Sequence, residues 1–491
     1  MILSKLINSL EKKHVIGNTE TEINKITFDS RQVNPGDMFV AIRGVKTDGH
    51  KYIPQALSRG ACAIVTEEDL NESFPGTTVI KVQNSRKALA SLAACFFNYP
   101  AEKLKIIGVT GTNGKTTTTH MISDVLEEHG IKTGIIGTLY IKIRDKTIPA
   151  RVTTPESLEI QEYLAEMVSA GIGAVAMEVS SHSLYFDRVY GIKFTGAIFT
   201  NLTQDHLDFH GDMKKYFNEK KKLFTRIISK DKGGFGVINN DDPKSREIAD
   251  ILSVPYISYG LFNNPDLSAK NISLDMHGTS FTAKRAGLSI PVHMKMAGKF
   301  NVYNALAAIG TGLFMGVPPS AITKGLERTK GVRGRFELVS EGQPFGIIVD
   351  YAHTPDGLKN VLESAKLLTK NRLIAVFGCG GDRDRTKRPV MGETAAILSD
   401  VIIVTSDNPR TEEPEAIIAD IISGVKKIRK DYQIEPDRRN AIRLAIEQAK
   451  DGDVIVIAGK GHETYQIFKD KTIHFDDAEE ARLALKQVRI N

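Results

Sequence analysis

The sequence predicts an α/β protein of three domains, with two doubly wound parallel sheets behind a smaller α/β unit. Three observations predict it. Apolar, β-branched runs recur along the chain and mostly end in short polar loops, as strands buried on both faces of a parallel sheet do. Helix patterns separate these runs, as crossover connections require. The 491 residues favour about three domains at ~150 residues each.

Residues 1–100 read as the small unit. MILSKLINSLEKKH has the spacing of an amphipathic helix and lacks the long apolar core of a signal peptide. Phe28 to Arg31 precede a turn at Asn34-Pro35-Gly36-Asp37 and a strand over Met38 to Ile42. A second turn, Gly44 to His50, leads to a helix running through Leu57. Ala61 to Val65 is a short buried strand, and Arg86 to Phe97 a helix ended by Tyr99-Pro100. On physics alone, Asp29-Ser30-Arg31 is a turn cap.

Residues 101–331 open on LKIIGVTGTNGKTTTTHMISDVLEEH (104–129). An apolar strand meets a glycine turn, then Lys115-Thr116, then a helix with Met121, Ile122, Val125 and Leu126 on one face. Strand, glycine loop, Lys-Thr and helix form a phosphate-binding loop. Gly111 and Gly114 let backbone N–H groups turn toward an anion, and the helix N-terminus adds a positive dipole end. Lys115 reaches outer phosphates, and the Thr116 hydroxyl is a magnesium ligand. The loop is a variant: Val109 stands where the common spacing has glycine.

Further apolar runs end in Glu178-Val179-Ser180-Ser181-His182, in Thr200 to His206, and in Asn239 to Asp242. Ligands of such sheets sit beyond the carboxyl ends of the strands. Glu178 and His206 would then share a crevice with Lys115 and Thr116, offering a hard carboxylate and an imidazole to magnesium. A helix cap at Glu178 and a surface position for His206 are the alternative. Tyr216, Lys220, Leu223 and Phe224 lie on one helical stripe, which turns Lys220 inward while Lys221 and Lys222 face water. Periodicity gives no reason for an inward lysine. The Ala-rich helix containing Asn301 and Asn304 ends before Gly316-Val317-Pro318-Pro319, and Gly331 to Glu337 has linker character.

Residues 332–491 repeat the rhythm. Runs ending at Val349, Phe377, Thr405 and Ile457 are followed by polar loops at Asp350–Asp356, Gly378–Asp384, Ser406–Arg410 and Gly459–Glu463. Together these loops hold cations (Arg383, Arg410) and anions (Asp407, Glu463), a mixture that suits a zwitterion such as an amino acid. A solvated surface of mixed charge reads equally well from composition, and a tight turn explains Gly378–Gly381.

Composition excludes several classes. A net charge of +6 is mild, and the runs at Lys220–Lys222 and Lys426–Lys430 are too short for a nucleic-acid arm. Three scattered cysteines have no disulfide or metal spacing. No stretch reaches the ~18 apolar residues of a membrane span, so a cytoplasmic protein is expected.

Ten segments in order carry a family resemblance: GVTGTNGKTTTTHM (108–121), TTPES (153–157), MEVSSHSL (177–184), TNLTQDHLDFHG (200–211), FNVYNALAA (300–308), GVRGRFE (331–337), VDYAHTPD (349–356), GCGGDRDRTKRP (378–389), SDNPRTEEP (406–414) and AGKGHETYQ (458–466). They resemble the Mur ligases. The resemblance implies a UDP-substrate domain over 1–100, a P-loop NTPase-like ATP domain over 101–331 and a Rossmann-like amino-acid domain over 332–491. It implies ATP-dependent addition of meso-diaminopimelate to UDP-N-acetylmuramoyl-L-alanyl-D-glutamate through an acyl phosphate, with magnesium, in a cytoplasmic monomer making peptidoglycan precursor. L-lysine is the alternative amino acid, and a folate polyglutamate ligase or a non-ligating nucleotide-binding protein are rival readings.

The resemblance also distributes roles. It places ATP at Gly111, Thr112, Asn113, Gly114, Lys115, Thr116, Thr117, Asn304, Arg335, Asp350 and His353. It places the UDP-linked dipeptide at Ser30, Thr153, Thr154, Ser180 and Arg188. Diaminopimelate falls to Arg383, Asp407, Asn408, Pro409, Arg410, Gly459 and Glu463, with the Arg410 guanidinium gripping the carboxylate that lysine lacks. Catalysis falls to Lys115, Lys220 and His206, and the metal to Thr116, Glu178, His206 and Lys220, the last as a carbamate.

Overall fold

The computed structural model describes residues 1–44, 47–70, 74–228, 230–276 and 278–488. Positions 45 and 46 of the predicted Gly44–His50 turn lie outside them.

Three main sheets order the chain. The first has five strands in the order Lys13–Ile16, Thr78–Val82, Ala63–Thr66, Met38–Val40, Ile26–Thr27; all pairs are parallel except the first. The N-terminal helix is shorter than its periodicity predicts, covering only Leu3–Ile7. Leu3, Leu6, Ile7 and Leu10 are buried as the spacing requires. Beyond them, residues 13–16 pair with Thr78–Val82, and that ladder outweighs extension of a marginal short helix. Asp29 does cap a turn, its carboxylate accepting from Arg31 N at 3.0 Å.

The second sheet has eleven strands. The phosphate-loop strand Lys105–Thr110 lies between Ala174–Glu178 and Gly196–Phe199, both parallel to it. Their carboxyl ends, at Thr110, Glu178 and Phe199, are therefore neighbours, and the loops they launch meet. Helices Lys115–Glu128 and Lys299–Phe314 cover one face through Met121, Ile122, Val125, Leu126 and the alanines around Leu306. The other face is covered through Ile160, Leu164, Met167, Phe217 and Phe224. Antiparallel strands extend one edge, Tyr140–Ile143 and Lys146–Pro149; at the other, Leu267–Asp275 pairs parallel to Tyr256–Gly260 and is followed by the antiparallel Gly278–Arg285 and Leu288–Met294.

The third sheet runs Glu337–Leu338, Gly346–Asp350, Val454–Ala458, Leu373–Phe377, Val401–Val404, Gln433–Ile434. Its four central strands are parallel, and Asp350, Ala458, Phe377 and Val404 end them in register. All four predicted polar loops leave from that one edge.

Candidate active site

The phosphate-type loop is a built structure. Gly111 has φ +147° and Gly114 +85°, conformations that L side chains rarely adopt. A Cβ on Gly111 would lie 1.9 Å from Thr200 Oγ1, and one on Gly114 2.4 Å from Asn304 Oδ1. Neighbouring loops fasten the turn: Thr200 Oγ1 donates to Asn113 O at 2.6 Å, and Asn113 N donates to Asn201 Oδ1 at 2.9 Å. Asn304 Oδ1 accepts from Thr118 Oγ1 at 3.3 Å. Lys115 Nζ donates back to Gly111 O and Thr112 O at 2.9 and 2.8 Å. Burial pulls the Lys115 pKa below its ordinary value, against the attraction of Glu178.

Glu178 is fully buried at the end of the adjacent strand. Its Oε2 accepts from Thr116 Oγ1 and Thr138 Oγ1, both at 3.0 Å, and its Oε1 from Thr138 N at 2.7 Å. A buried carboxylate beside a helix-start hydroxyl is a pair of hard oxygen donors, which fits magnesium. Lys220, 1% exposed, donates from Nζ to Gly111 O at 2.7 Å and lies 4.4 Å from the Tyr216 ring centroid. Burial and Lys115 hold its pKa far below the ordinary lysine value. An ammonium donates and does not ligate, so Lys220 joins a metal set only if converted to an anion. His206 lies in the left-handed region at φ +54°, paired to Asp205 at 3.3 Å and packed on the His182 ring at 4.8 Å. Among the described residues no three His, Cys, Asp or Glu ligand atoms converge around Glu178 and His206; the one grouping that does is Asp48, His50 and Glu68 in the first sheet's domain.

A cleft of about 890 Å³ lies between the second and third sheets. From one side Thr112 to Thr117, Glu178, His206 and Asn304 line it; from the other, Arg335, Asp350 and His353 do. Gly111 lies one residue before this lining. The Arg335 guanidinium lies 4.6 Å from the Tyr351 ring centroid and reaches Thr116 Oγ1 at 3.4 Å. Asp350 accepts from Phe336 N at 2.7 Å, and burial pushes its pKa up to about 6 against the pull of Arg335. His353 Nδ1–H donates to Tyr351 O at 2.8 Å. Asn113 Nδ2 donates across the cleft to Asp356 Oδ2 at 3.0 Å.

Two predicted groups adjoin the cleft. Thr153 lines it, and its hydroxyl accepts from Thr138 Oγ1 at 3.2 Å. Thr154 Oγ1 donates to Glu178 O at 2.7 Å and accepts from Ser180 N at 3.2 Å, while Arg188 donates to Thr154 O at 2.9 Å. Ser30 is apart from these four; its hydroxyl donates to Gln55 Oε1 at 2.7 Å inside the first domain. In the third domain Asn408 Nδ2 donates to Glu463 Oε2 at 2.7 Å, and a Cβ on Gly459 would lie 2.5 Å from Asp407 Oδ2. The Pro409 carbonyl closes on Gly381, Arg410 donates to Gly381 O at 2.7 Å, and a Cβ on Gly380 would meet both Arg410 and the exposed Arg383.

Comparison with known proteins decides the family. The chain matches the Mur ligase family, catalytic domain, over residues 22–97; the Mur ligase middle domain over 109–312; and the Mur ligase, glutamate ligase domain, over 334–461. It belongs to the Mur ligase family. A relative from Clostridium botulinum, "UDP-N-acetylmuramoyl-L-alanyl-D-glutamate--2,6-diaminopimelate ligase", is 48% identical over 99% of this chain and 100% of its own. A solved structure of a protein of that same name aligns over the full length of both chains at 30% identity, TM-score 0.69. The MurF ligase from Thermotoga maritima, solved with ADP, shares the fold at TM-score 0.62 and 20% identity, over 95% of this chain and 98% of that one.

Five contributors to this Mur ligase's domain contacts and candidate sites escape the sequence reading. Thr138 supplies two of the three hydrogen bonds on Glu178; it follows the apolar strand Thr133–Ile136, the same strand-end signal that marks Glu178. Arg86 reaches Glu156 at 3.2 Å, and Glu156 also pairs with Arg188 at 2.9 Å, tying the first two domains; no periodicity marks either residue. Tyr351 sits between Arg335 and His462. Lys460 is fully buried among Asn408, Glu463 and Tyr465, and its place between two glycines after a strand was its only signal.

Proposed function

We propose that this Mur ligase joins meso-2,6-diaminopimelate to the glutamyl side-chain carboxylate of UDP-N-acetylmuramoyl-L-alanyl-D-glutamate, with ATP converted to ADP and phosphate, as a step of peptidoglycan precursor synthesis. The observation that carries the reading is one cleft in which the phosphate loop, Glu178 and Arg335 meet, with Tyr351 in its lining packed on His462, next to the mixed-charge cluster of Asp407–Arg410 and Glu463. The names of relatives at this level of identity support the same substrates.

The roles follow from the geometry. The backbone N–H groups of Gly111 to Thr117 and the dipole of helix Lys115–Glu128 cradle the phosphates of ATP, with Asn304, Arg335, Asp350 and His353 around the rest of the nucleotide. Lys115 leaves the carbonyls of Gly111 and Thr112 to follow negative charge on the transferring phosphoryl group. Thr153, Thr154, Ser180 and Arg188, with Ser30 in the first domain, hold the UDP-linked dipeptide so that its glutamyl carboxylate faces the terminal phosphorus. A carboxylate oxygen attacks that phosphorus and ADP leaves. The amine nitrogen of diaminopimelate then attacks the acyl carbon, and phosphate leaves from the tetrahedral intermediate. The protein positions and neutralises; the substrates make the bonds.

Magnesium, when bound, screens the charge between the phosphates and the incoming carboxylate. Thr116 and Glu178 would hold it, joined by His206 and by Lys220 as a carbamate. Burial favours the neutral Lys220 amine, the form that adds to carbon dioxide with loss of one proton. In the amino-acid pocket Asp407 and Glu463 meet the ammonium, with Asn408 holding the Glu463 carboxylate through its NH₂, and Arg383 and Arg410 meet the carboxylate, against the backbone of Pro409 and Gly459. A cytoplasmic place of work fits a reaction that consumes ATP and a UDP-linked precursor.

The test mixes purified protein with ATP, the UDP-linked dipeptide and either meso-diaminopimelate or L-lysine, and weighs the product. A mass gain of one diaminopimelate, with phosphate release dependent on both co-substrates, is expected. Phosphate release that ignores the amino acid, or a preference for lysine, overturns the reading.

A further inference from the structure

The pocket assigned to the amino acid contains a buried cation that no role above uses. Lys460 is 0% exposed, as deeply buried as the strand residues before it. Its Nζ donates to Asn408 Oδ1 at 3.2 Å, to Glu463 Oε2 at 3.1 Å and to Tyr465 O. The backbone is shaped to send it there: Gly459 and Gly461 flank it at φ +120° and +52°, and a Cβ on either would strike Asp407 or Tyr351. Burying an ammonium is costly unless it is fully paired, so a lysine held here has a charge to balance.

We propose that Lys460 is the positioning residue of the amino-acid pocket: it fixes the orientations of the Asn408 amide and the Glu463 carboxylate, and it balances the adjacent negative charges of Asp407 and Glu463. The proposal deepens the ligase reading and rests on it.

Two features carry the argument. The first is geometric. Asn408 Oδ1 accepts from Lys460 Nζ and from Ile467 N at 3.0 Å, so the oxygen of the amide must face these donors and its NH₂ must face Glu463. Both side-chain hydrogen bonds to Glu463 land on Oε2, and among the described residues Oε1 receives none. One oxygen is pinned and the other is left for a ligand ammonium. The second is electrostatic. Asp407 and Glu463 approach each other in a buried pocket, where like charges disfavour ionisation. Burial and then Asp407 push the Glu463 carboxyl upward; Lys460 and the Asn408 hydrogen bond pull it back. The other ionisable groups facing Glu463 are Tyr351, Tyr465 and Arg438, and Arg438 is occupied with Asp477 at 2.7 Å. Lys460 is thus the cation hydrogen-bonded to Glu463 itself. A pocket lacking it would hold a Glu463 that takes up a proton more readily, and a protonated carboxyl attracts an ammonium less than a carboxylate does.

The test uses the full-length enzyme with saturating ATP and UDP-linked dipeptide. Lys460→Met keeps the volume and removes the charge. Its expected effect at pH 7 is a KM for diaminopimelate raised about ten- to a hundredfold, the scale of one lost charged hydrogen bond, with the KM for ATP unchanged. The penalty should shrink as pH rises, because base restores the Glu463 carboxylate. Lys460→Gln, which keeps a donor without charge, should show the same pH-dependent penalty, and it stands in should the methionine variant not fold. Combining Lys460→Met with Glu463→Gln should add little to Glu463→Gln alone. A KM penalty independent of pH, an equal rise in the KM for ATP, or fully additive effects would overturn the proposal. Wild-type enzyme that ligates no diaminopimelate would instead overturn the ligase reading, so the two failures are distinguishable.

Discussion

Gly111→Ala tests the phosphate loop most directly, because the cost of one methyl group can be worked from the structure. Two penalties combine. Alanine must hold φ near +147°, a strain of about 1–3 kcal/mol. Its Cβ must also displace Thr200 Oγ1 from 1.9 Å, which breaks the bond that the hydroxyl's single proton makes to Asn113 O (2.6 Å), with Thr110 O as the longer alternative (3.3 Å), at about 1 kcal/mol. A total of roughly 3 kcal/mol falls on the segment assigned to ATP, enough to weaken nucleotide binding by about a hundredfold if the loop yields rather than the domain. Calorimetric titration with ATP measures this, with a thermal melt of the same sample reporting the part taken as lost stability. Adding Thr200→Ala removes the clashing oxygen but not the backbone strain, so the double variant should recover part of the affinity. Wild-type ATP affinity in Gly111→Ala, with an undiminished melting temperature, would refute the loop assignment.

Three more outcomes are expected. Lys115→Ala should abolish ligation yet fold normally, since its ammonium donates only to two loop carbonyls; circular dichroism beside a phosphate-release assay checks both, and near-normal turnover would defeat the assignment. Arg410→Ala should lose preference for diaminopimelate over L-lysine in direct competition; retained preference would mean that the second carboxylate is read elsewhere. Asp350 carries a folded-state pKa near 6 against an ordinary value of 3.8, so the folded protein binds its proton more tightly than the unfolded chain does. Stability from this group is full below about pH 4 and is lost as pH rises through 6, a swing of about 3 kcal/mol. Urea unfolding of Asp350→Asn should lack that swing, and identical pH profiles for variant and wild type would contradict it.

The parallel strands were legible because burial on both faces leaves an unbroken apolar run that a polar residue ends abruptly. Strands Gly196–Phe199 and Leu373–Phe377 end where their apolar runs were predicted to end, and Ala174–Glu178 takes in the glutamate that opens its polar loop. Strands with an antiparallel neighbour were not legible for the converse reason. Leu267–Asp275 buries only Leu267 and Ala269 and exposes a polar stretch after them, so its sequence resembles a loop. Thr78–Val82 joins a sheet through Ala63–Thr66 and the still more distant Lys13–Ile16, and its short apolar core is no longer than many loop segments. Lys220 was readable as inward from its stripe, since a helix repeats often enough to show a face. Lys460 stands alone between glycines, and a lone charged residue carries no periodicity to betray its burial.

The joining of the domains lies further still from what local pattern encodes. Asn113 and Asp356 are 243 residues apart, yet one hydrogen bond links the phosphate loop to the first turn of helix Pro355–Leu368. Arg335 makes a second crossing, from the segment between the domains to Thr116. Both crossings end on residues assigned to the nucleotide or its metal, so a bound triphosphate competes with them for the same donors. Burial pushes the Asp356 carboxyl upward while Asn113 and Thr203 pull it back, which means that the link costs desolvation as well as gaining a bond. A contact that is partly self-cancelling can be exchanged for phosphate contacts with little net loss. The atoms that cross this cleft are thus the ones assigned to the phosphates, so the contact between the second and third domains and the grip on a triphosphate draw on the same donors.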